Sequence, residues 1–200
     1  MKLMLKLILA TNILVLSFAV PTAAGSLDDG RAAYAHGDFA TAERLFRSLA
    51  EHGDAIAQYN LGGMYYKGEV VPQSYPHAVF WYRHAAWQGD ASAQLSLGLM
   101  CYNGQGTLQN YTEALTWFRK AADQGSAEAQ INLGAMYANG QGVPQDYIHA
   151  HMWLSLAAAK SETRAVKLRD IVAAKMTAAQ IAEAQKLARE WMPTKQPPLR

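Results

Sequence analysis

A single cysteine, Cys101, stands among the 200 residues, so no internal disulfide can staple the chain. Its place on a patterned helix predicts a buried, small apolar side chain rather than a reactive thiol. A membrane-spanning run is also missing. Leu7 to Val20 is mostly apolar. As a helix it would rise about 21 Å against a hydrocarbon core of about 30 Å. With Lys2 and Lys6 ahead of it and Thr22, Ala23 and Ala24 behind, it predicts a secretory signal peptide over residues 1–24. Cleavage is expected near Ala24/Gly25, with no stable membrane insertion afterwards, and no nearby cysteine could carry a lipid anchor. Export to the periplasm or the medium is the expectation.

Excess basic charge is lacking as well. The chain has 18 Lys and Arg against 16 Asp and Glu, and removal of Lys2 and Lys6 leaves 16 of each. Nucleic-acid binding draws on a strong basic excess to displace counterions, so no nucleic-acid partner is expected. The remaining charge is uneven. Residues 25–159 hold 7 basic and 12 acidic side chains, whereas residues 160–200 hold 9 and 4. Two solvated helix faces account for this, as would a basic end that meets an acidic partner or an anionic envelope polymer.

Catalytic signatures are absent too: no Ser-x-x-Lys, Gly-x-Ser-x-Gly or His-Glu-x-x-His occurs. Gly104-Gln105-Gly106 and Gly140-Gln141-Gly142 lack the third glycine of a phosphate loop and follow helices, so they read as turns. His149 and His151 are two apart on a predicted helix and point to different sides, and His77 and His84 have no second ligand pair. No cofactor, metal or catalytic residue is expected. Asn110-Tyr111-Thr112 fits a glycosylation acceptor, but its repeat position assigns Asn110 to helix capping.

What the chain does have is a repeat of 36 residues. Gly62, Gly98 and Gly134 share this spacing, as do Trp81, Trp117 and Trp153. Further columns are Ala57, Ala93 and Ala129; Gln58, Gln94 and Gln130; Leu61, Leu97 and Leu133; and Gly68, Gly104 and Gly140. Each unit predicts two helices. Ala57, Leu61 and Tyr65 fall on one face of the first, and Ala78, Trp81, Tyr82 and Ala85 follow i, i+3, i+4, i+7 in the second. Asp54, Asp90 and Ser126 are positioned to cap first helices, and Asp38, Ser74, Asn110 and Asp146 to cap second ones. Gly68, Gly104 and Gly140 are expected to end the first helices. Gly62, Gly98 and Gly134 imply close helix approach, with the tryptophans filling the gaps that small residues leave. One such unit cannot repay its ordering entropy, so stacking must supply the burial.

The run Ala57-Gln58-x-x-Leu61-Gly62-x-x-Tyr65-x-x-Gly68, closed by Ala78-x-x-Trp81-Tyr82-x-x-Ala85-Ala86-x-x-Gly89, closely resembles the Sel-1-like repeat family, relatives of the tetratricopeptide repeats. The likeness covers 54–89, 90–125 and 126–159; Val70 in place of glycine, Leu108 in place of proline and Cys101 in place of tyrosine depart from it. It implies an all-α fold: a right-handed α-solenoid of stacked antiparallel helix pairs with a C-terminal helical cap. Residues 25–53 read as a shorter tetratricopeptide-like helix pair and 160–192 as capping helices, the second starting at the Thr177–Gln180 capping box. Residues 193–200 read as a loose tail.

By the same resemblance, the first helices line an inner wall that holds a peptide or protein partner. The wall positions are Ile56, Tyr59, Asn60, Gly63, Tyr66 and Lys67 in the first unit. They are Ser92, Leu95, Ser96, Leu99, Tyr102 and Asn103 in the second, and Glu128, Ile131, Asn132, Ala135 and Asn139 in the third. They vary while the core columns do not. The resemblance implies a bacterial, non-catalytic scaffold, adaptor or regulator. A cell-wall or β-lactam-directed enzyme or binder is the alternative, although its relatives carry paired cysteines; a self-associating assembly protein is another.

Overall fold

The computed structural model describes residues 25–193, so the predicted signal peptide and nearly all of the predicted tail lie outside the described residues. Ten helices, and no strand among the described residues, follow one another along the chain. The N-terminal pair is α1 (Leu27–Ala35) and α2 (Phe39–Glu51). Three full pairs follow: α3 (Ala55–Lys67) with α4 (Tyr75–Trp87), α5 (Ala91–Asn103) with α6 (Tyr111–Asp123), and α7 (Ala127–Asn139) with α8 (Tyr147–Ala158). The helices α9 (Thr163–Ala173) and α10 (Ala178–Glu190) both pack on α8 and close the stack. Each helix otherwise packs on its neighbours in sequence, as stacked helix pairs in a right-handed α-solenoid must.

Capping side chains set where the helices start. Asp54, Asp90 and Ser126 accept from the backbone N–H three residues on, and Asp38, Asn110 and Asp146 do the same for the second helices. Ser74 departs from this pattern. Its hydroxyl contacts His77 Nδ1 at 2.7 Å instead, and a proline at the start of α4, Pro76, fixes the entry without that bond. Thr177 and Gln180 form the expected capping box, and Ser26 with Asp29 form another.

Helix pairs approach over glycine. A Cβ on Gly62 would lie 2.8 Å from the Tyr82 ring, one on Gly98 2.7 Å from Phe118, and one on Gly134 2.5 Å from Leu154. The side chains that fill these gaps therefore come from the column of Tyr82, Phe118 and Leu154, not from the tryptophans. Trp81 packs on the cluster of the N-terminal pair and α3, while Trp117 and Trp153 are buried in the main core.

Units are joined by a buried amide column. The Nε2 groups of Gln58, Gln94 and Gln130 donate to the carbonyls of Ala50, Ala86 and Ala122, each near the end of the preceding second helix, at 3.0, 3.1 and 3.3 Å. Gln88 and Gln124 then donate to Gln58 Oε1 and Gln94 Oε1, both at 2.7 Å. In the third unit Lys160 takes the place of Gln88 and Gln124, its ammonium bonds the Gly125 carbonyl, and Gln130 Oε1 is buried without a partner.

Two departures from the repeat have visible consequences. In the first and third units a guanidinium donates to a tyrosine hydroxyl (Arg47 to Tyr65, Arg119 to Tyr137), and each tyrosine stacks on a histidine, His77 or His149. In the second unit Cys101 replaces the tyrosine and Glu113 the histidine, so Arg83 pairs directly with Glu113 at 3.0 Å. Burial pushes the Cys101 thiol up to about 11, keeping it protonated and poorly nucleophilic at neutral pH. The second departure is Val70, whose φ of 68° is the left-handed conformation adopted by Gly106 and Gly142. Those glycines are obligatory, because a Cβ on Gly106 would meet the Tyr75 carbonyl carbon at 2.4 Å. Val70 is 56% exposed and meets no such obstacle, leaving only the strain of a β-branched residue at positive φ, about 1–2 kcal/mol.

Gln94→Leu removes two side-chain hydrogen bonds and should cost about 1–3 kcal/mol in urea unfolding. Gln130→Leu removes one bond and an unsatisfied oxygen together, so a smaller loss is expected. Equal losses would show that the amide column does not join the units.

Candidate functional site

Among the wall positions, the first two units come together and the third does not. A cavity of about 220 Å³ opens between α1 and α3, walled in part by Tyr59, Asn60, Gly63, Tyr66 and Lys67. A second, of about 200 Å³, opens between α3 and α5, walled in part by Tyr66, Ser96, Leu99 and Asn103. Tyr66 and Tyr82 border both, so the two cavities adjoin. Tyr66 is 37% exposed and its ring contacts Tyr75 at 5.4 Å; Tyr102, half-buried, contacts Tyr111 at 5.1 Å. Ile56 and Leu95 are half-buried and Ser92 is exposed, and none of these three borders either cavity.

Tyr34 and Tyr82 belong to the wall although the repeat pattern placed Tyr82 in the core. Gly62 and the length of the tyrosine explain this. With no Cβ on Gly62, the Tyr82 ring lies against α3 and its hydroxyl extends past Gly63, where a Cβ would meet it only at an ordinary 3.7 Å. The ring meets Tyr59 at 5.6 Å and the hydroxyl reaches Ser96. Burial, with Tyr59 beside it, raises the Tyr82 pKa well above the ordinary phenol value, so the group remains a neutral hydrogen-bonding hydroxyl. Phe118 and Leu154 in the same column have no polar tip. That contrast is the sequence signal for Tyr82.

Lys67 donates to the Tyr34 hydroxyl at 2.7 Å and pairs with Glu69 at 3.5 Å; the Tyr34 hydroxyl raises the pKa of its ammonium. Tyr34 in turn donates to Glu69 at 2.7 Å, forming a charged rim to the first cavity. Asn60 spends its amide on the Ile56 carbonyl at 2.8 Å and Asn132 spends its own on the Glu128 carbonyl at 2.9 Å. One N–H of each amide is therefore held by its own helix.

The third unit requires a correction. Ile131 is fully buried, clustered with Ala157 and Ala165, because α9 lies against α7 and α8 where a further first helix would stack. Glu128 is paired with Arg164 of α9 at 2.7 Å. Ala135 remains half-buried, and Asn139 is exposed and 3.5 Å from Gln141, which also accepts from Tyr102 at 3.1 Å. The open wall therefore runs along α1, α3 and α5 and is closed by the cap at α7. His149 bonds Asp146 at 2.6 Å and stacks on Tyr137, whereas His151 is buried near Arg169 and Asp170 of α9. No group of His, Cys, Asp and Glu among the described residues is arranged to hold a metal ion.

A family model described as Sel1 repeat matches residues 55–90, 91–126 and 127–162. Among solved structures, the chain is similar to c5321, a protective antigen present in uropathogenic Escherichia coli strains and displaying an SLR fold. The identity is 30% and the TM-score 0.72, over 82% of this chain and 40% of that one. It is also similar to a Sel1 repeat protein from Oxalobacter formigenes, at 29% identity and a TM-score of 0.70, over 87% of this chain and 77% of that one. No curated protein matches the chain.

Burial, reinforced by Arg169, lowers the His151 pKa from its ordinary 6.5. The unfolded chain therefore binds a proton below pH 6.5 that the folded chain refuses, and the cap loses stability as pH falls through that window. The melting temperature should drop between about pH 7 and pH 5, and His151→Gln should flatten that drop; an unchanged slope would refute the assignment.

Proposed function

Because the chain belongs to the Sel1 repeat family, whose arrays generally serve as protein-interaction scaffolds, we propose that it is an exported, non-catalytic adaptor or regulator. In this reading it holds a peptide or protein along α1, α3 and α5. The observation that carries it is the pair of adjoining cavities bordered by Tyr66 and Tyr82. Tyrosines suit such a surface because they present a large apolar face and a polar tip with few rotatable bonds. Tyr59 and Tyr66, two turns apart on α3, line the first cavity with Tyr34 of α1, and the charged Lys67–Glu69 rim would orient a polar partner segment. Export rests on residues 1–24, whose basic start, apolar core and small-residue end read as a cleavable signal. No helix among the described residues is long and apolar enough to cross a membrane.

The test is capture of envelope proteins by the purified chain lacking residues 1–24, in parallel with a Tyr59→Ala, Tyr66→Ala, Tyr102→Ala variant. Interface anchors of this type are each worth about 2 kcal/mol or more, so the variant should lose its partner by at least about tenfold in affinity. The same partners held with the same affinity by both proteins would refute the inner-wall reading.

A further inference from the structure

The 36-residue repeat puts the outward columns of the second helices in register, and they differ sharply. α2 turns out Arg44 and Ser48, and α6 turns out Thr116 and Lys120. Between them α4 carries Phe80 and His84 in the same columns, with Trp87 one turn on. Phe80 is 52% exposed and Trp87 66%. The His84 ring lies between them, its centroid 4.6 Å from Phe80 and 6.2 Å from Trp87, and a shallow cavity of about 310 Å³ runs along this face. Thr116 and Lys120 show that the fold does not need apolar side chains here.

The chain itself shows what covers such a face. In the third unit these columns hold Met152 and Leu156, and Met152 is only 6% exposed. Helix α10 lies on α8, with Leu187, Ala188 and Trp191 packed into the core cluster that contains Met152, and Trp191 meets Trp153 edge-on at 6.0 Å. Ala184, Leu187, Ala188 and Trp191 are spaced i, i+3, i+4, i+7 along α10 and its C-cap and so share one face of the helix, whereas Glu183, Gln185, Lys186, Arg189 and Glu190 are exposed.

We infer that the outer face of α4 is a second docking surface, separate from the inner wall, and that its occupant is an amphipathic helix of a partner protein. That helix carries small and large apolar residues at i, i+3, i+4 and i+7, as α10 does. The dimensions select this occupant. Thirteen residues of α4 span about 20 Å, and polar helices bound the face on both sides, so it is one helix wide. At a helix diameter of about 10 Å its footprint is a few hundred Å², short of the roughly 800 Å² per partner in a stable dimer of two copies. A helix laid in a shallow apolar groove fits that size.

A fluorescently labelled peptide of residues 176–192, the segment that covers α8, is the probe, titrated against the full chain by fluorescence anisotropy. Saturable binding in the micromolar range is expected. The Phe80→Lys, Trp87→Glu double variant should weaken it at least about tenfold, whereas Tyr66→Ala, Tyr102→Ala should leave it unchanged. Loss in the first variant separates docking on α4 from exchange with α10 on α8, and retention in the second separates it from the inner wall. Both α4 side chains are exposed, so thermal melts should match; protection of Trp87 from oxidation by the bound peptide gives the same reading without any substitution. No saturable binding up to about 1 mM, or binding indifferent to Phe80 and Trp87, overturns the inference. So does a dimer seen by sedimentation that the double variant abolishes, which would make a second copy the occupant.

Discussion

Each of the three full units of this solenoid is held by an amide that reaches backwards. The second residue of each Ala-Gln pair (Gln58, Gln94, Gln130) is buried and ties its helix to a carbonyl near the end of the unit before it. A buried amide without partners costs more than it returns, so the column is satisfied only when units stack at one fixed register. Glycine fixes the approach of helices within a pair, and the amide fixes the approach between pairs. The wall of first helices inherits its geometry from both. Where the column runs out, at Lys160, the cap begins.

Much of this was legible in the sequence because identical physical demands recur at identical spacing. The helix ends, the caps at Asp54, Asp90 and Ser126, and the glycine approaches all repeat, and repetition separates constraint from accident. What stayed illegible lies where one unit differs from its neighbours. Ser74 occupies a capping position yet bonds His77, since the following proline already sets the turn. Ile131 occupies a wall position yet is covered, because the pattern of one unit cannot show that α9 will stack as a further first helix. Tyr82 occupies a core position yet extends its hydroxyl to the wall, because its ring lies over Gly62 and, unlike Phe118 and Leu154, it carries a polar tip. The amide column was visible as a column, but its partners sit in the preceding unit and only three-dimensional stacking brings them within reach.

The two faces of the stack carry different kinds of information. The inner wall is built from side chains that the repeat leaves free to vary, and its cavities fall between successive first helices, so its shape follows from stacking. The outer face needs no apolar residue for stacking, which makes the aromatic row on α4 an addition to the scaffold rather than part of it. The N-terminal pair and α5 flank the tyrosine-lined cavities, whereas the outer row lies on the single helix α4. Tyr82 of the same helix reaches the inner cavities from the opposite side, so α4 presents a different residue to each surface.

The exchange of Tyr and His for Cys101 and Glu113 in the second unit bears on how such arrays can be lengthened or shuffled. The arginine that serves each of these pairs comes from the preceding unit: Arg47 for Tyr65, Arg83 for Glu113, Arg119 for Tyr137. Because the donor is an arginine every time, it accepts either a phenol or a carboxylate, and a whole unit can be duplicated or transplanted with its acceptor intact. Cutting within a unit, between residues 101 and 113, would instead mate a tyrosine with a glutamate or a cysteine with a histidine. Exchange of whole units thus keeps each acceptor with its partner, whereas a cut between the paired positions separates them.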